Sequence, residues 1–207
     1  MQATLDTQVK TLLRKSLKTA MTYETYRDLM RVLVADKKST GTEQSEDLAH
    51  YTFLNEKRMK RLSKTTKIDS LTIDKIKQID TPITWLVLTE SWCGDAAQTM
   101  PIMQKFAEQN SNIDVKVILR DENLELMNHF LYNNTLSIPR LIAINNNTEE
   151  IIGDWGPRPS NLTKIVSDYK TKHGSLTAEF KEELQLWYTK DKGQNTIADL
   201  VQLLPLK

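Results

Sequence analysis

The chain has 207 residues, with 28 Lys and Arg against 27 Asp and Glu, for a formal charge of +1. That balance gives no electrostatic case for nucleic acid or an anionic membrane as the main partner. Hydrophobic residues at 39% and charged residues at 27% describe a globular chain with one sizeable core and room for helical appendages.

The start, MQATLDTQVKTLLRK, lacks a continuous apolar segment and so does not read as a signal peptide. Leu5, Val9, Leu12, Leu13 and Leu17 fall near helical spacing. Tyr26, Leu29, Met30, Leu33 and Val34 mark one face of a second helix, with Thr22 as its N-cap. The polar stretch KKSTGTEQSED breaks the pattern. A third helix is expected from near Ser45, carrying Leu48, Tyr51, Leu54, Met59 and Leu62 inward. Its end is basic (Lys57, Arg58, Lys60, Arg61, Lys64, Lys67), which reads as a solvated face complementing the helix dipole in preference to a nucleic-acid contact.

ITWLVLT (83–89) is a short apolar run with β-branched residues, as expected of a strand buried on both faces. AAQTMPIMQKFAEQN reads as a helix with Pro101 inside it. IDVKVIL (113–119) is a second strand, and DENLELMNHFLYNN a helix ending in Asn-Asn. PRLIAIN (139–145) and EEIIGDW (149–155) form a hairpin, and LTKIVSDYKTKHG a helix stopped by Gly174. Two more helical patterns follow: Leu176, Phe180, Leu184 and Trp187, then Ile197, Leu200, Val201 and Leu204, the last capped by Thr196 with Asp199 three residues on. The order predicts an α/β fold with a right-handed parallel crossover and helices on both faces of one small sheet.

The chain has a single cysteine, Cys93. It excludes an internal disulfide and suits a reducing cytoplasm, so the Asn-x-Thr triplets at Asn133, Asn146 and Asn161 are expected to be silent. No stretch nears the roughly 18 apolar residues that span a bilayer. Cys93 stands between a buried strand and a helix start, the sheet edge where reacting groups gather in open α/β folds. A helix N-terminus lowers a thiol pKa, whereas Glu90 and Asp95 work against it; Asp95 also suits capping of the first turn. The bland reading of Cys93 is a small buried residue. Ser137-Ile138-Pro139-Arg140 opens a strand on the same sheet. An X–Pro bond admits the cis form, which would turn the Ile138 backbone toward Cys93; an ordinary trans proline at a strand start is the simpler reading of these residues alone. His50, His129 and His173 are scattered and give no zinc spacing, so no metal is expected.

The strand–Trp-Cys-Gly-Asp–helix element, the Ser-Ile-Pro strand and the hairpin with Gly153 together resemble the thioredoxin family over roughly residues 68–173. Arg120-Asp121-Glu122-Asn123 and Trp155-Gly156-Pro157-Arg158-Pro159 match bacterial members with N-terminal helices. The resemblance implies a thioredoxin-like fold, a four-stranded central mixed sheet flanked by helices, with helical extensions at residues 1–67 and 174–207. It also implies Cys93 as nucleophile, a cis Pro139, and a substrate groove formed with Trp92, Gly94, Asp95, Ile138 and Arg140. The departures matter as much. Ala96 stands where the resolving cysteine belongs, and Val87 where many members carry a buried carboxylate, so the dithiol cycle is not expected.

Two readings follow. In the first, a cytoplasmic protein exchanges disulfides through Cys93 alone, with protein or small-thiol disulfides as substrates and glutathione or another small thiol as co-substrate; it expects a depressed thiol pKa. In the second, the fold is a non-catalytic protein-binding module that has lost redox activity. Neither involves a bound cofactor, nucleic acid or a membrane. Arg120, Asp121 and Arg140, at strand ends on the same edge, suit either an anionic group or ion pairs that fix loops.

Overall fold

The computed structural model describes residues 2–206, with side chains from Thr7 to Leu206. Helix α1 (Gln2–Thr19) buries Leu13 and Ser16, with Val9, Leu12 and Leu17 half-buried beside them; Leu5 lies outside the described side chains. A two-residue strand, β1 (Met21–Thr22), leads straight into α2 (Tyr23–Ala35). Thr22 is the N-cap of α2, its hydroxyl accepting from the Thr25 N–H at 3.1 Å. Helix α3 (Glu46–Thr65) starts at Ser45, whose Oγ accepts from the Leu48 N–H at 3.2 Å.

The inward face of α3 keeps Met59, with Leu48, Leu54 and Leu62 half-buried, but admits polar residues and leaves Tyr51 out. Thr52, Asn55 and Met59 are buried, while Tyr51 is 45% exposed. Periodicity weighs only apolar residues, and here two polar ones are carried inside because partners await them on the loop before Cys93. A short helix that the spacing does not reveal, α4 (Ser70–Lys77), is capped by Asp69, which accepts from the Thr72 N–H at 2.9 Å.

Strand β2 (Ile83–Thr89) is buried at every residue, as its continuous apolar run requires. Helix α5 (Gly94–Ala107) follows and encloses Pro101, and β3 (Ile113–Leu119) runs parallel to β2. The helix expected next shrinks to one turn, α6 (Leu124–Met127). Asn133 and Asn134 adopt left-handed φ of 48° and 57°, and Tyr132 bridges Thr135, so the chain turns where the apolar residues would have continued a helix. Strands β4 (Arg140–Asn145) and β5 (Glu150–Trp155) form the hairpin, with a register shift between Ala143 and Ile144. Helices α7 (Ser160–His173), α8 (Ala178–Asp191) and α9 (Gln194–Val201) complete the chain.

The strand order is β1-β3-β2-β4-β5, with β2 and β3 parallel and every other pairing antiparallel. The expected four strands are therefore present, and β1 adds a fifth at the edge, Met21 opposite Val117 and Thr22 opposite Lys116. Two residues leave too short an alternation to be read from sequence. The main core runs unbroken from Leu13 and Tyr26 through the sheet to Leu200 and Leu204. A second, separate cluster of Leu162, Val166, Phe180, Leu184 and Tyr188 joins α7 to α8.

One expected cap is misplaced. Thr196 lies buried inside α9, and Gly193, at φ +82°, takes the N-cap position. Asp199 instead serves α7, whose own N-cap, Pro159, has no side-chain oxygen. It accepts from the Ser160 N–H and hydroxyl, both at 2.7 Å, and from Trp155 Nε1 at 3.1 Å. Among the described residues no helix is long and apolar enough to cross a membrane.

Candidate functional site

The loop that carries the thiol leaves the carboxyl end of β2 and is held from beneath. Ser91 Oγ accepts from the Thr40 N–H at 2.9 Å and lies 2.8 Å from the Thr52 hydroxyl. The Ser91 N–H donates to Thr40 Oγ1 at 2.8 Å, and Asn55 Nδ2 donates to the Ser91 carbonyl at 2.9 Å. All four side chains are buried, so each bond is made where a loss would leave a polar group dry. Glu90, also buried, accepts from the Asp121 N–H at 2.9 Å and so ties the loop to the turn after β3. Burial pushes its carboxyl above the usual range.

Cys93 itself is the N-cap of α5. Its Sγ accepts from the Ala96 N–H at 3.4 Å and donates to the Ile138 carbonyl at 3.3 Å. The thiol is only 7% exposed. Burial, then the nearby negative charge of Asp95, pushes its pKa up to about 12. This reverses the expected depression. The Ala96 N–H and Arg158 do favour the thiolate, but desolvation of the charged form outweighs them in this closed arrangement.

Asp95 does not cap the first turn. Its carboxylate forms an ion pair with Arg158 at 2.7 Å and accepts from the Tyr188 hydroxyl at 2.9 Å. Burial raises the Asp95 pKa against the pull of Arg158, and the same burial raises the Tyr188 phenol. Two more groups reach this turn. A Cβ built on Gly94 would lie 3.5 Å from Gln185 Nε2 and 3.7 Å from Arg58 Nη1, and Gln98 Nε2 donates to Gln185 Oε1 at 2.8 Å. The first turn of α5 is thus enclosed by α3 on one side and α8 on the other.

Opposite the thiol, the Ile138–Pro139 and Gly156–Pro157 peptide bonds are both cis. Gly156 sits at φ +117°, and a Cβ there would collide with the Pro139 carbonyl oxygen, so the two turns pack backbone to backbone. Arg140 donates to the Gly156 carbonyl at 2.9 Å and pairs with Asp154, which commits its guanidinium to pinning β4 against β5 and the Gly156 turn. Arg120 pairs with Asp121 at 2.7 Å and lies 5.1 Å above the half-buried Trp92 ring, which forms one wall beside the thiol.

The fold therefore brings Trp92, Cys93, Gly94, Asp95, Ile138 and Pro139 together, and turns Arg140 to a structural use. Spacing alone missed Tyr188, Gln185 and Arg58, which reach the site from elements remote in sequence. Among the described residues no group of three or more His, Cys, Asp or Glu has an arrangement that could hold a metal ion.

A parallel β2–α5–β3 crossover, an antiparallel β4–β5 hairpin and one cysteine capping the intervening helix define a thioredoxin-fold protein with a single thiol. The chain belongs to the thioredoxin family: a family model described as thioredoxin matches residues 41–170. A crystal structure of a protein of unknown function from Pseudomonas aeruginosa is similar at 15% identity and a TM-score of 0.57, covering 75% of this chain and 84% of that one. A crystallised scaffold carrying an HIV epitope is similar at 16% identity and a TM-score of 0.54, covering 88% and 97%. At that identity both likenesses concern the fold alone. No curated protein matches the chain.

Proposed function

We propose that the protein performs thiol–disulfide exchange through Cys93 alone, on a protein or small-thiol disulfide, in the reduced thiol pool of the cytoplasm. The observation that carries this reading is the 3.3 Å contact between Cys93 Sγ and the Ile138 carbonyl beside Pro139. A disulfide-bearing segment laid along that backbone edge would present one sulfur to the thiol. The Cys93 thiolate attacks that sulfur, a new S–S bond forms, and the second sulfur of the substrate leaves as a thiolate. Ala96 offers no second thiol within the chain, so an external thiolate, glutathione or another small thiol, attacks the mixed disulfide. That step releases the Cys93 thiolate and carries the substrate's sulfur away in a new disulfide. Trp92, Gly94 and Asp95 shape the wall of the groove. A thiol held protonated up to about pH 12 is not the attacking species, so exchange proceeds from a form in which Cys93 is solvated.

Intact-mass measurement after incubation with oxidised glutathione, then with reduced glutathione, tests the reading. A single adduct that forms and is removed supports it, and Cys93→Ser must abolish the adduct. Absence of any adduct, even on prolonged incubation, overturns it. The competing reading, a non-catalytic binding module, draws on the low exposure of Cys93 and predicts that Cys93→Ser leaves partner capture intact.

A further inference from the structure

Two of the side chains that close the site, Tyr188 and Gln185, belong to one peripheral helix. Buried apolar side chains of α8 (Phe180, Leu184 and Tyr188) pack on Leu162 and Val166 of α7, in a cluster apart from the main core. Side-chain hydrogen bonds tie α8 to the thiol-bearing turn: Tyr188 to Asp95 at 2.9 Å and Gln185 to Gln98 at 2.8 Å. Left-handed residues flank α8: Gly174 is the C-cap of α7, three residues before the Thr177 N-cap of α8, and Lys192 is the C-cap of α8 itself. Gly174 has φ +78° with nothing near its would-be Cβ, whereas Lys192 (φ 55°) and Gly193 (φ +82°) form the other joint. A Cβ on Gly193 would lie 2.6 Å from Ile102 Cδ1, so that joint is anchored on α5. The start of α8 is held on α7 by the Tyr169–Phe180 ring stack at 3.6 Å and the Tyr169–Thr177 hydroxyl contact at 3.2 Å.

We propose that α8 is a lid over Cys93, latched by Tyr188–Asp95 and Gln185–Gln98, and that it lifts away from α5 to admit a disulfide substrate. The proposal rests on the exchange reading above and assigns its regulation. In the closed state the Tyr188 hydroxyl and the Gln185 amide occupy the approach to the first turn of α5. Opening breaks these two hydrogen bonds and the contacts of Phe180, Leu184 and Tyr188 with Leu162 and Val166, and leaves the main core, to which that cluster does not belong, intact. The cost of opening is therefore that of local rearrangement rather than of unfolding. Solvent then reaches Asp95 and the thiol together, which removes the main cause that keeps the thiol protonated.

The test compares N-ethylmaleimide alkylation of Cys93 in the native protein and in a Tyr188→Phe/Gln185→Ala double variant, which removes the latch and keeps the ring packing. Alkylation should accelerate about tenfold or more, the effect of deleting two hydrogen bonds. Leu186→Ala, at a position 58% exposed on the outer face of α8, should leave the rate unchanged. Equal alkylation rates in a folded double variant overturn the lid. Alkylation needs no disulfide chemistry. Faster alkylation without any glutathione adduct would therefore reject exchange and keep the lid, and an adduct formed at equal rates in both proteins would do the reverse.

Discussion

Asp95 and Arg158 form an ion pair at 2.7 Å, with side chains only 12% and 22% exposed, directly beside the thiol. The pair joins the Trp-Cys-Gly-Asp turn to the Gly-Pro-Arg-Pro turn, and it divides the local electrostatics. Asp95 raises the Cys93 pKa and Arg158 lowers it. Asp95→Asn removes the first effect and keeps an acceptor for Tyr188. Titration of thiolate ultraviolet absorbance should show the Cys93 midpoint falling from about 12 toward the ordinary thiol value of 9.0. An unmoved midpoint would mean that desolvation alone sets the thiol.

The same shift has a consequence for stability. Cys93 holds its proton more tightly in the folded state than in the unfolded chain, where the ordinary value is 9.0. Its stabilising contribution is therefore complete below pH 9.0 and is lost as pH rises through about 12. Tyr26 and Tyr188, likewise raised chiefly by burial, add to alkaline sensitivity. The difference between the native protein and Cys93→Ser isolates the thiol. Urea unfolding between those limits should show native stability falling more steeply than that of the variant, by up to about 1.4 kcal/mol per pH unit.

Ser91 is the pin of the loop. Ser91→Ala would strand the buried Thr40 N–H and remove one of two partners of the Thr52 hydroxyl, which keeps the Leu48 carbonyl at 2.9 Å. A buried donor left unsatisfied costs about 1–3 kcal/mol. For a chain of this size the melting temperature should fall by roughly 2–4 °C per kcal/mol lost. Calorimetry checks this, and a shift within error would show that the network contributes little.

That network also marks where the sequence stops being legible. Thr22 and Ser45 are visible as caps because a hydroxyl followed by an apolar period has one local meaning, and β2 is visible because few other elements are apolar at every position. Thr52 and Asn55 were not assigned inward because their reason for burial lies about 40 residues away, at Ser91. The same holds for Asp199. Locally it completes a capping box with Thr196, yet in the fold it caps α7, because Gly193 starts α9 three residues earlier. Cys93, Ile138 and Pro139 could be placed together only through resemblance to a fold. Tyr188 could not be placed even then, because α8 lies beyond the segment that the resemblance covers.

Gly156 should tolerate no side chain. Its φ of +117° is strained for any other residue, and a Cβ would strike the Pro139 carbonyl oxygen. Gly156→Ala must displace either the Pro139 turn or the Arg140 bond to the Gly156 carbonyl. A loss of about 3 kcal/mol or more is expected from combined strain and clash. Melting and soluble yield check this; a variant melting within a few degrees of the native protein would show that the two turns are not rigidly packed.

Ala96 offers the most direct test of what the site lacks. It is 1% exposed, and its N–H lies 3.4 Å from Cys93 Sγ, so the first turn of α5 already places position 96 against the thiol. Ala96→Cys should form a disulfide with Cys93 under mild oxidation, read as the loss of two hydrogens by intact mass. The Cys93 side chain would then leave its contact with the Ile138 carbonyl, and N-ethylmaleimide should label neither sulfur until reductant is added. A second expectation separates thiol number from thiol access. If α8 limits reaction, the variant should reduce a test disulfide slowly, and adding Tyr188→Phe and Gln185→Ala should speed it. Rapid turnover by Ala96→Cys alone would instead show that the missing second sulfur, and not the covering helix, separates this chain from a dithiol enzyme.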